Sequence, residues 1–171
     1  MDERARKRAP KWVQAVKTVD WLTAQMPPKS EFQIYAFNNE VKPLIPDSKG
    51  QWLKIDNGKK LKLALDTLGG LSPKGGTNLY AAFQAMAELK PKPDNVYLLV
   101  DGLPTQGQER SRSKLISGEE RLRLFNKAVN IVPLQVPINI IMFPMEGDPK
   151  AASNYWELSQ NTFGSFIYML A

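Results

Sequence analysis

Two short stretches of this 171-residue sequence decide how the rest is interpreted: residues 73–77 read Pro-Lys-Gly-Gly-Thr, and residues 98–105 read Leu-Leu-Val-Asp-Gly-Leu-Pro-Thr. Each stretch places a side-chain oxygen beside glycine, on Thr77 in the first and on Asp101 in the second. Taken alone, each is weak evidence, because threonine often caps a helix and Asp-Gly often forms a turn. Their order and their surroundings carry more information.

The segments around the two stretches alternate between strand and helix patterns. Apolar residues at three- and four-residue steps predict helices, and short apolar runs bounded by proline, glycine or asparagine predict strands. Ser117 and Glu120 have the spacing of a capping box, and Asp56 or Asn57 can cap an earlier helix. The predicted helices are 10–26, 58–68, 78–89, one opening at Ser117, and 149–160; the predicted strands are 31–37, 41–44, 95–100, 138–143 and 166–170.

This alternation predicts an α/β fold with a mostly parallel sheet and helices on both faces. Residues 95–100 and 138–143 are near-continuous apolar runs, typical of strands buried on both sides. We expect a single domain over residues 1–171, with a basic, irregular N-terminus over residues 1–9. Ligands of such sheets bind beyond the carboxyl ends of the strands. Thr77 and Asp101 are therefore expected at the same edge.

The composition limits the chemistry, because the chain has no cysteine and no histidine. Disulfides and thiolate metal sites are excluded, and so are Ser-His-Asp catalysis and histidine-based zinc hydrolysis. Any metal would be a hard cation bound by oxygens, with Mg²⁺ the first expectation. No nucleophile–base pair can be named, so we predict that the chain is not an enzyme.

The net charge of +6 is concentrated near the N-terminus, where residues 1–30 hold seven Lys/Arg and three Asp/Glu (7 − 3 = +4). A solvated helix entry explains this charge, and contact with nucleic acid or anionic lipid is the alternative. The most apolar segment, residues 131–145, is interrupted by prolines and is shorter than the roughly 20 residues that span a bilayer. A membrane anchor upstream and the compartment stay open.

Gly75-Gly76-Thr77-Asn78-Leu79 followed by Val100-Asp101-Gly102-Leu103-Pro104-Thr105 resembles the von Willebrand factor type A (vWA) domain. The resemblance covers nearly the whole chain: residues 35–38 resemble the second strand of the family, and residues 161–166 resemble its closing helix-to-strand turn. It implies a Rossmann-like sheet with a metal-ion-dependent adhesion site at its top. In the family this site combines an Asp-x-Ser-x-Ser loop, a threonine on a second loop and an aspartate on a third.

By this resemblance Thr77 and Asp101 are metal ligands, and Gly75, Gly76 and Gly102 shape their loops. No Asp-x-Ser-x-Ser occurs in the sequence, so we expect a domain that lacks its first strand and principal metal loop, through truncation or a start at an internal methionine. Binding of Mg²⁺, Mn²⁺ or Ca²⁺ is then expected to be weak or absent. Strands 31–37 and 95–101 should either pair with each other or leave a gap.

The resemblance implies a protein-binding module that, when complete, grips an acidic group of a partner protein through a divalent metal. Arg110, Arg112 and Lys114, in the basic loop after Asp101, form a candidate partner surface, and a merely solvated loop is the alternative.

Two other functions are weighed. Lys74 with the amides of Gly75 and Gly76 could form a phosphate-binding nest in an enzyme, with Ser72 nearby. The basic N-terminus could bind nucleic acid, but no interleaved aromatic and basic pattern supports this, and we expect a protein partner instead.

Overall fold

The computed structural model of the chain describes residues 2–108, 116–143 and 147–169. Its contacts divide the chain into two compact units, the first formed by Met1–Ala36 with Val41–Gly75 and the second by Phe37–Glu40 with Gly76–Ala171. The helices are α1 (Glu3–Lys7), α2 (Pro10–Ala24), α3 (Lys59–Gly70), α4 (Leu79–Glu88), α5 (Gly118–Val129) and α6 (Ala151–Asn161). The strands are β1 (Glu31–Phe32), β2 (Tyr35–Phe37), β3 (Val41–Pro43), β4 (Leu53–Lys54), β5 (Val96–Val100), β6 (Ile138–Met142) and β7 (Phe166–Tyr168).

The second unit is built on a parallel sheet with the order β5-β6-β7. In the register of this sheet Leu98 lies beside Ile140, and Ile140 lies beside Phe166. Side chains from α4, α5 and α6 join those of the sheet in one apolar cluster, in which the rings of Phe125 and Tyr155 meet edge to face with centroids 5.0 Å apart. The predicted α/β architecture with a parallel sheet is therefore confirmed.

The two long strands of this sheet differ in burial although both are apolar runs. All residues of β6 are buried except Asn139, as predicted for a strand enclosed on both sides. In β5, burial alternates along the strand, and Tyr97 is 48% exposed. The prediction that β5 is buried on both sides is wrong, because the face that carries Tyr97 and Leu99 is only partly covered. Within the described residues β5 pairs with β6 alone and forms an edge of its sheet.

Two further sheets have two strands each: β1 pairs with β4 antiparallel in the first unit, and β2 pairs with β3. The predicted strand 31–37 is interrupted between β1 and β2, where the side-chain Nε2 of Gln33 donates to the carbonyls of Ser48 (2.6 Å) and Gln51 (2.9 Å). Residues 47–57, expected to be a loop, contain β4. An apolar cluster around Phe32 packs against α2 and α3 side chains.

The N-terminal segment is helical over Glu3–Lys7, where the sequence predicted an irregular segment. The helix forms because the Asp2 carboxylate accepts a hydrogen bond from the Ala5 amide at 2.6 Å, as an N-cap. The N-cap position of α3 is Gly58 at φ 78°, not Asp56 or Asn57 as predicted, but the Asn57 side-chain oxygen accepts from the Lys59 amide in the first turn at 3.3 Å. Among the described residues, none of the helices has the length and apolar character needed to cross a membrane.

The predicted strands 31–37 and 95–101 do not pair with each other. β1, β2 and β5 lie in three separate sheets. No strand in the described ranges pairs with β5 on one side and with β1 or β2 on the other. The expected pairing of these two strands is therefore absent from the described residues.

Candidate functional site

Three segments of the second unit meet through hydrogen bonds at the carboxyl end of the sheet. The Gly76 amide donates to the Asn39 side-chain oxygen at 2.7 Å, and the Asn78 amide donates to the Asn38 carbonyl at 2.7 Å. These bonds join the turn after β2 to the loop before α4.

The loop before α4 and the loop after β5 bind each other through Thr77 and Thr105. The Thr77 amide donates to the Thr105 hydroxyl at 2.9 Å, and the Thr77 carbonyl accepts from the amides of Thr105 and Gln106, both at 3.0 Å. The Asn78 side chain adds a bond to the Gly107 carbonyl at 3.0 Å. The structure therefore brings together the two stretches that the sequence singled out.

Asn78 caps α4, because its side-chain oxygen accepts from the Ala81 amide at 3.0 Å. The alternative in which Thr77 caps this helix is therefore wrong. The Thr77 hydroxyl makes no hydrogen bond within the described ranges, although its peptide group makes three.

Gly75, Gly76 and Gly102 occupy positions with different structural requirements. A methyl group on Gly76 would lie 2.6 Å from the Thr105 hydroxyl oxygen and 2.9 Å from the Asn39 side-chain oxygen, so a larger residue would separate the loops. Gly75 has φ 88°, a backbone conformation that favours glycine. Gly102 is buried and its carbonyl accepts a hydrogen bond from the Tyr155 hydroxyl at 3.0 Å.

Asp101 is exposed at the carboxyl end of β5, and the peptide that follows it is held from below by a buried ion pair. One oxygen of Asp148 accepts from the Leu103 amide and from the Arg121 guanidinium, both at 2.7 Å. The same guanidinium donates to the Leu103 carbonyl at 2.6 and 3.2 Å. The side chains of Arg121 and Asp148 are only 14% and 5% exposed.

Tyr155 completes this support. Burial raises the pKa of its phenol well above the ordinary range, and the negative charges of Asp148 and Asp101 raise this pKa further, against a smaller opposing effect of Arg121. The hydroxyl therefore stays protonated and keeps donating to the Gly102 carbonyl. We name the set of Arg121, Asp148 and Tyr155 the loop clamp.

The overall arrangement matches a known fold. A solved structure described as "von Willebrand factor type A from Catenulispora acidiphila" is similar with a TM-score of 0.60 over 98% of this chain. The chain has a vWA fold. The two sequences are 15% identical, so the likeness concerns the fold alone, and the chain spans 35% of the length of that protein. No family model matches the sequence, and no curated protein matches it.

Three of the residues that organise this vWA fold at the carboxyl end were not singled out from the sequence: Arg121, Asp148 and Tyr155. Asp148 carries a weaker signal than Asp101, because it lies between β6 and α6 and not directly after the strand, although neighbouring parallel strands end at one edge. Arg121 and Tyr155 resemble ordinary helix residues. Of the predicted partner surface, Arg110, Arg112 and Lys114 lie outside the described residues.

The donors near Thr77 and Asp101 do not fit a complete metal site. Over residues 2–108, 116–143 and 147–169, no group of three or more Asp and Glu side chains could hold an ion. Asp148 is a further carboxylate in the loop framework, but Arg121 and the Leu103 amide engage it. One exposed carboxylate and one hydroxyl remain, whereas Mg²⁺ requires octahedral coordination by oxygens.

Of the two amides expected to form a phosphate nest, Gly75 and Gly76, that of Gly76 is already engaged within the protein. A nest needs successive free amides aimed at the anion. The amides of Gly76, Thr77 and Asn78 all donate to acceptors of the protein itself, on Asn39, Thr105 and Asn38. This geometry removes the support for the phosphate-binding alternative at these three positions.

Proposed function

We propose that the chain is a protein-binding module of the vWA type, and that it binds through the surface formed by the Thr77 and Asp101 loops. The observation that supports this most is the reciprocal bonding of Thr77 and Thr105, which joins the two loops and leaves the Asp101 carboxylate exposed beside them. No catalytic step is assigned to this surface.

A preformed surface of this kind favours recognition, because less conformational entropy is lost when a partner binds to ordered loops. The loop clamp orders the peptide after Asp101 from inside the unit, and the Thr77–Thr105 bonds order it from the side. Asp101 is thus held at its backbone while its carboxylate remains available to a partner.

Thr77 and Asp101 are, in this proposal, the remnant of a metal-ion-dependent adhesion site. Gly75, Gly76 and Gly102 shape its loops. Completion by further ligands would allow an acidic residue of a partner protein to join the coordination of Mg²⁺, Mn²⁺ or Ca²⁺. With one carboxylate in the remnant site, the dissociation constant for Mg²⁺ is expected to be about millimolar or weaker.

Calorimetric titration with Mg²⁺ tests the remnant site. The wild-type chain should show heats that fit a millimolar dissociation constant or no binding, and Asp101→Asn should abolish any signal. Asp66→Asn, which changes an exposed carboxylate of α3, is the matched control and should leave the titration unchanged. Micromolar binding that survives Asp101→Asn would overturn the assignment of Thr77 and Asp101 as the ligands.

Selection from random peptides displayed on phage tests the binding surface itself. Peptides enriched on the wild-type chain should also bind Asp66→Asn but should lose binding to Thr105→Val and Asp101→Asn, since these two substitutions alter the joined loops. Parallel selections with Mg²⁺ and with a chelator show whether a metal contributes. Equal enrichment on all four proteins would place binding elsewhere on the chain and contradict the proposal.

A further inference from the structure

Two apolar side chains protrude at the amino end of the parallel sheet, one from each of two neighbouring connections. Leu134 is 85% exposed in the connection before β6, and Phe163 is 89% exposed in the connection before β7. The two strands are parallel neighbours, and the Ile138 amide at the start of β6 donates to the Thr162 hydroxyl at 3.2 Å. Leu134 and Phe163 therefore project from the same end of the second unit, and we name them the apolar tip.

Phe163 occupies a position at which glycine is usual. It lies directly after Thr162, the C-cap of α6, and has φ 59°. Its amide donates to the Gln160 carbonyl at 3.2 Å, and the Gly164 amide donates to the Ser159 carbonyl at 2.8 Å. These bonds form a Schellman motif, whose left-handed residue is most often glycine because a side chain disfavours that conformation. Packing within the unit does not explain an exposed phenylalanine here, and left-handed residues other than glycine concentrate at functional sites.

The connection before β6 presents Leu134 in a comparable way. Gln135 follows it at φ 66°, again a left-handed residue other than glycine, and Val136 is buried with 1% exposure. Val136 thus anchors the turn while Leu134 stays in solvent. Residues 130–137 and 161–165 contain no charged residue, so no charge in these two connections opposes burial of the tip in an apolar phase.

Lysines lie at the same end of the unit as the apolar tip. The segments that lead into β5, β6 and β7, taken over 88–95, 126–137 and 160–165, have a net charge of 3 − 2 = +1. Their charged residues, all exposed, are Lys90, Lys92, Lys127, Glu88 and Asp94. Both acidic residues belong to the segment before β5, so the two segments that carry the tip hold one cation, Lys127, and no anion.

The small size of the apolar tip favours a lipid surface over a protein as its occupant. An aromatic side chain offers about 150–250 Å² of contact, and one leucine adds less. A specific protein interface, including one with a second copy of this chain, needs roughly 800 Å² on each partner. A bilayer instead buries single protruding side chains at its headgroup and acyl boundary without a shaped pocket, and anionic headgroups attract lysines beside them.

We propose that the amino end of the second unit docks onto anionic lipid bilayers by inserting Leu134 and Phe163, with Lys92 and Lys127 at the headgroups. The Thr77 and Asp101 loops lie at the opposite, carboxyl end of the same unit, so docking leaves them accessible. The inference uses a different surface and does not depend on the proposed function.

Co-sedimentation with vesicles of equal parts phosphatidylcholine and phosphatidylglycerol tests the insertion. The wild-type chain should bind, and Phe163→Gly should bind roughly tenfold more weakly or worse. Glycine suits the left-handed position, so Phe163→Gly should melt no lower than wild type. Trp156→Gln, which removes another exposed aromatic ring from the second unit, is the matched control and should bind as wild type does.

Three outcomes of this experiment would overturn the proposal. The first is no binding by the wild-type chain. The second is equal binding by wild type and Phe163→Gly, which attraction of the basic N-terminal segment alone predicts, since this variant keeps every lysine and arginine. The third is equal weakening in Trp156→Gln and Phe163→Gly, because general apolar adsorption then explains the binding.

The charge requirement is tested with the same vesicles. The double variant Lys92→Gln/Lys127→Gln should bind roughly tenfold more weakly, whereas Lys59→Gln/Lys60→Gln, with the same charge change on α3, should have a smaller effect. Wild type should also bind vesicles of phosphatidylcholine alone more weakly than the mixed vesicles. Equal binding to both kinds of vesicle would contradict the assignment of anionic lipid.

A site-specific label tests the orientation, because the chain has no cysteine and a single introduced thiol is unique. An environment-sensitive dye on Asn161→Cys, beside the tip, should shift to shorter wavelength when vesicles are added. The same dye on Glu119→Cys, in the first turn of α5 at the carboxyl end, should not shift. A shift at Glu119→Cys alone would contradict docking through the amino end. Dimerisation without vesicles that Phe163→Gly removes would make a second copy the occupant and overturn the lipid assignment.

Discussion

The two ends of the parallel sheet are joined by different kinds of contact. At the amino end the backbone itself is packed closely: a methyl group on Gly164 would lie 2.0 Å from the Ile138 carbonyl oxygen, and the Ile138 amide donates to the Thr162 hydroxyl at 3.2 Å. At the carboxyl end the contacts run through side chains, with Arg121 and Asp148 buried below the loop that follows Asp101.

This difference separates architecture from a candidate binding surface. At the amino end the polar side chains of Thr162 and Asn139 are used to bind backbone of the same unit. At the carboxyl end the buried side chains of Arg121, Asp148 and Tyr155 bind the backbone of the loop after β5. The Thr77 hydroxyl and the Asp101 carboxylate take no part in these bonds. Ligands of open α/β sheets bind at the carboxyl end, and the distribution of contacts here agrees with that rule.

The largest expected effect is at the loop clamp. Asp148→Ala leaves the Arg121 charge and the Leu103 amide without their buried partner, so unfolding free energy should fall by about 3–5 kcal/mol. Chemical denaturation measures this change. Asp66→Ala, in the exposed pair with Lys62 at 3.3 Å, should change stability by less than about 1 kcal/mol. Equal effects of the two substitutions would mean that the clamp does not hold the carboxyl end.

The next effect should appear at the amino end. Gly164→Ala forces a methyl group against the Ile138 carbonyl, a backbone atom that cannot move without shifting β6, and should destabilise by about 1–3 kcal/mol. Gly69→Ala is the control, since no atom lies within 4 Å of the added methyl in α3 and alanine favours a helix. A melting temperature of Gly164→Ala equal to that of the control would contradict the close packing.

A smaller effect should depend on pH through Tyr155. Its pKa is higher in the folded than in the unfolded chain, so its contribution to stability is complete below pH 10 and is lost as pH rises above about 10. The stability difference between wild type and Tyr155→Phe should then shrink by about 1.4 kcal/mol per pH unit above 10. Denaturation curves of both proteins between pH 8 and 11 measure it, and a pH-independent difference would contradict the buried, protonated state.

The sequence predicted the α/β architecture because local patterns determine it: the apolar run of β6, the periodicity of α4 and the cap at Ser117, which accepts from the Glu120 amide at 3.2 Å. The second half of the capping box did not form, because the Glu120 carboxylate pairs with Arg123 at 2.9 Å. Edge position could not be predicted, since β5 and β6 are equally apolar and only pairing distinguishes them.

The part of the candidate site that local sequence patterns determine was predicted, and the part that depends on distant contacts was not. Thr77 and Asp101 follow from loop residues beside glycine, and the structure joins their loops. Arg121 and Tyr155 could not be found, because their partners at Leu103 and Gly102 are distant in sequence and the contacts are made to backbone atoms. Every residue has a backbone carbonyl, so the sequence does not indicate which carbonyl accepts a hydrogen bond.

Hydrogen exchange at the amides of Thr77, Thr105 and Gln106 tests most directly whether the two loops form one surface. All three amides donate across the junction between the loops. They should be protected in the wild-type chain, and Thr105→Val should release the Thr77 amide because its acceptor is removed. Exchange of all three in the wild-type chain as fast as that of exposed amides would contradict the central claim.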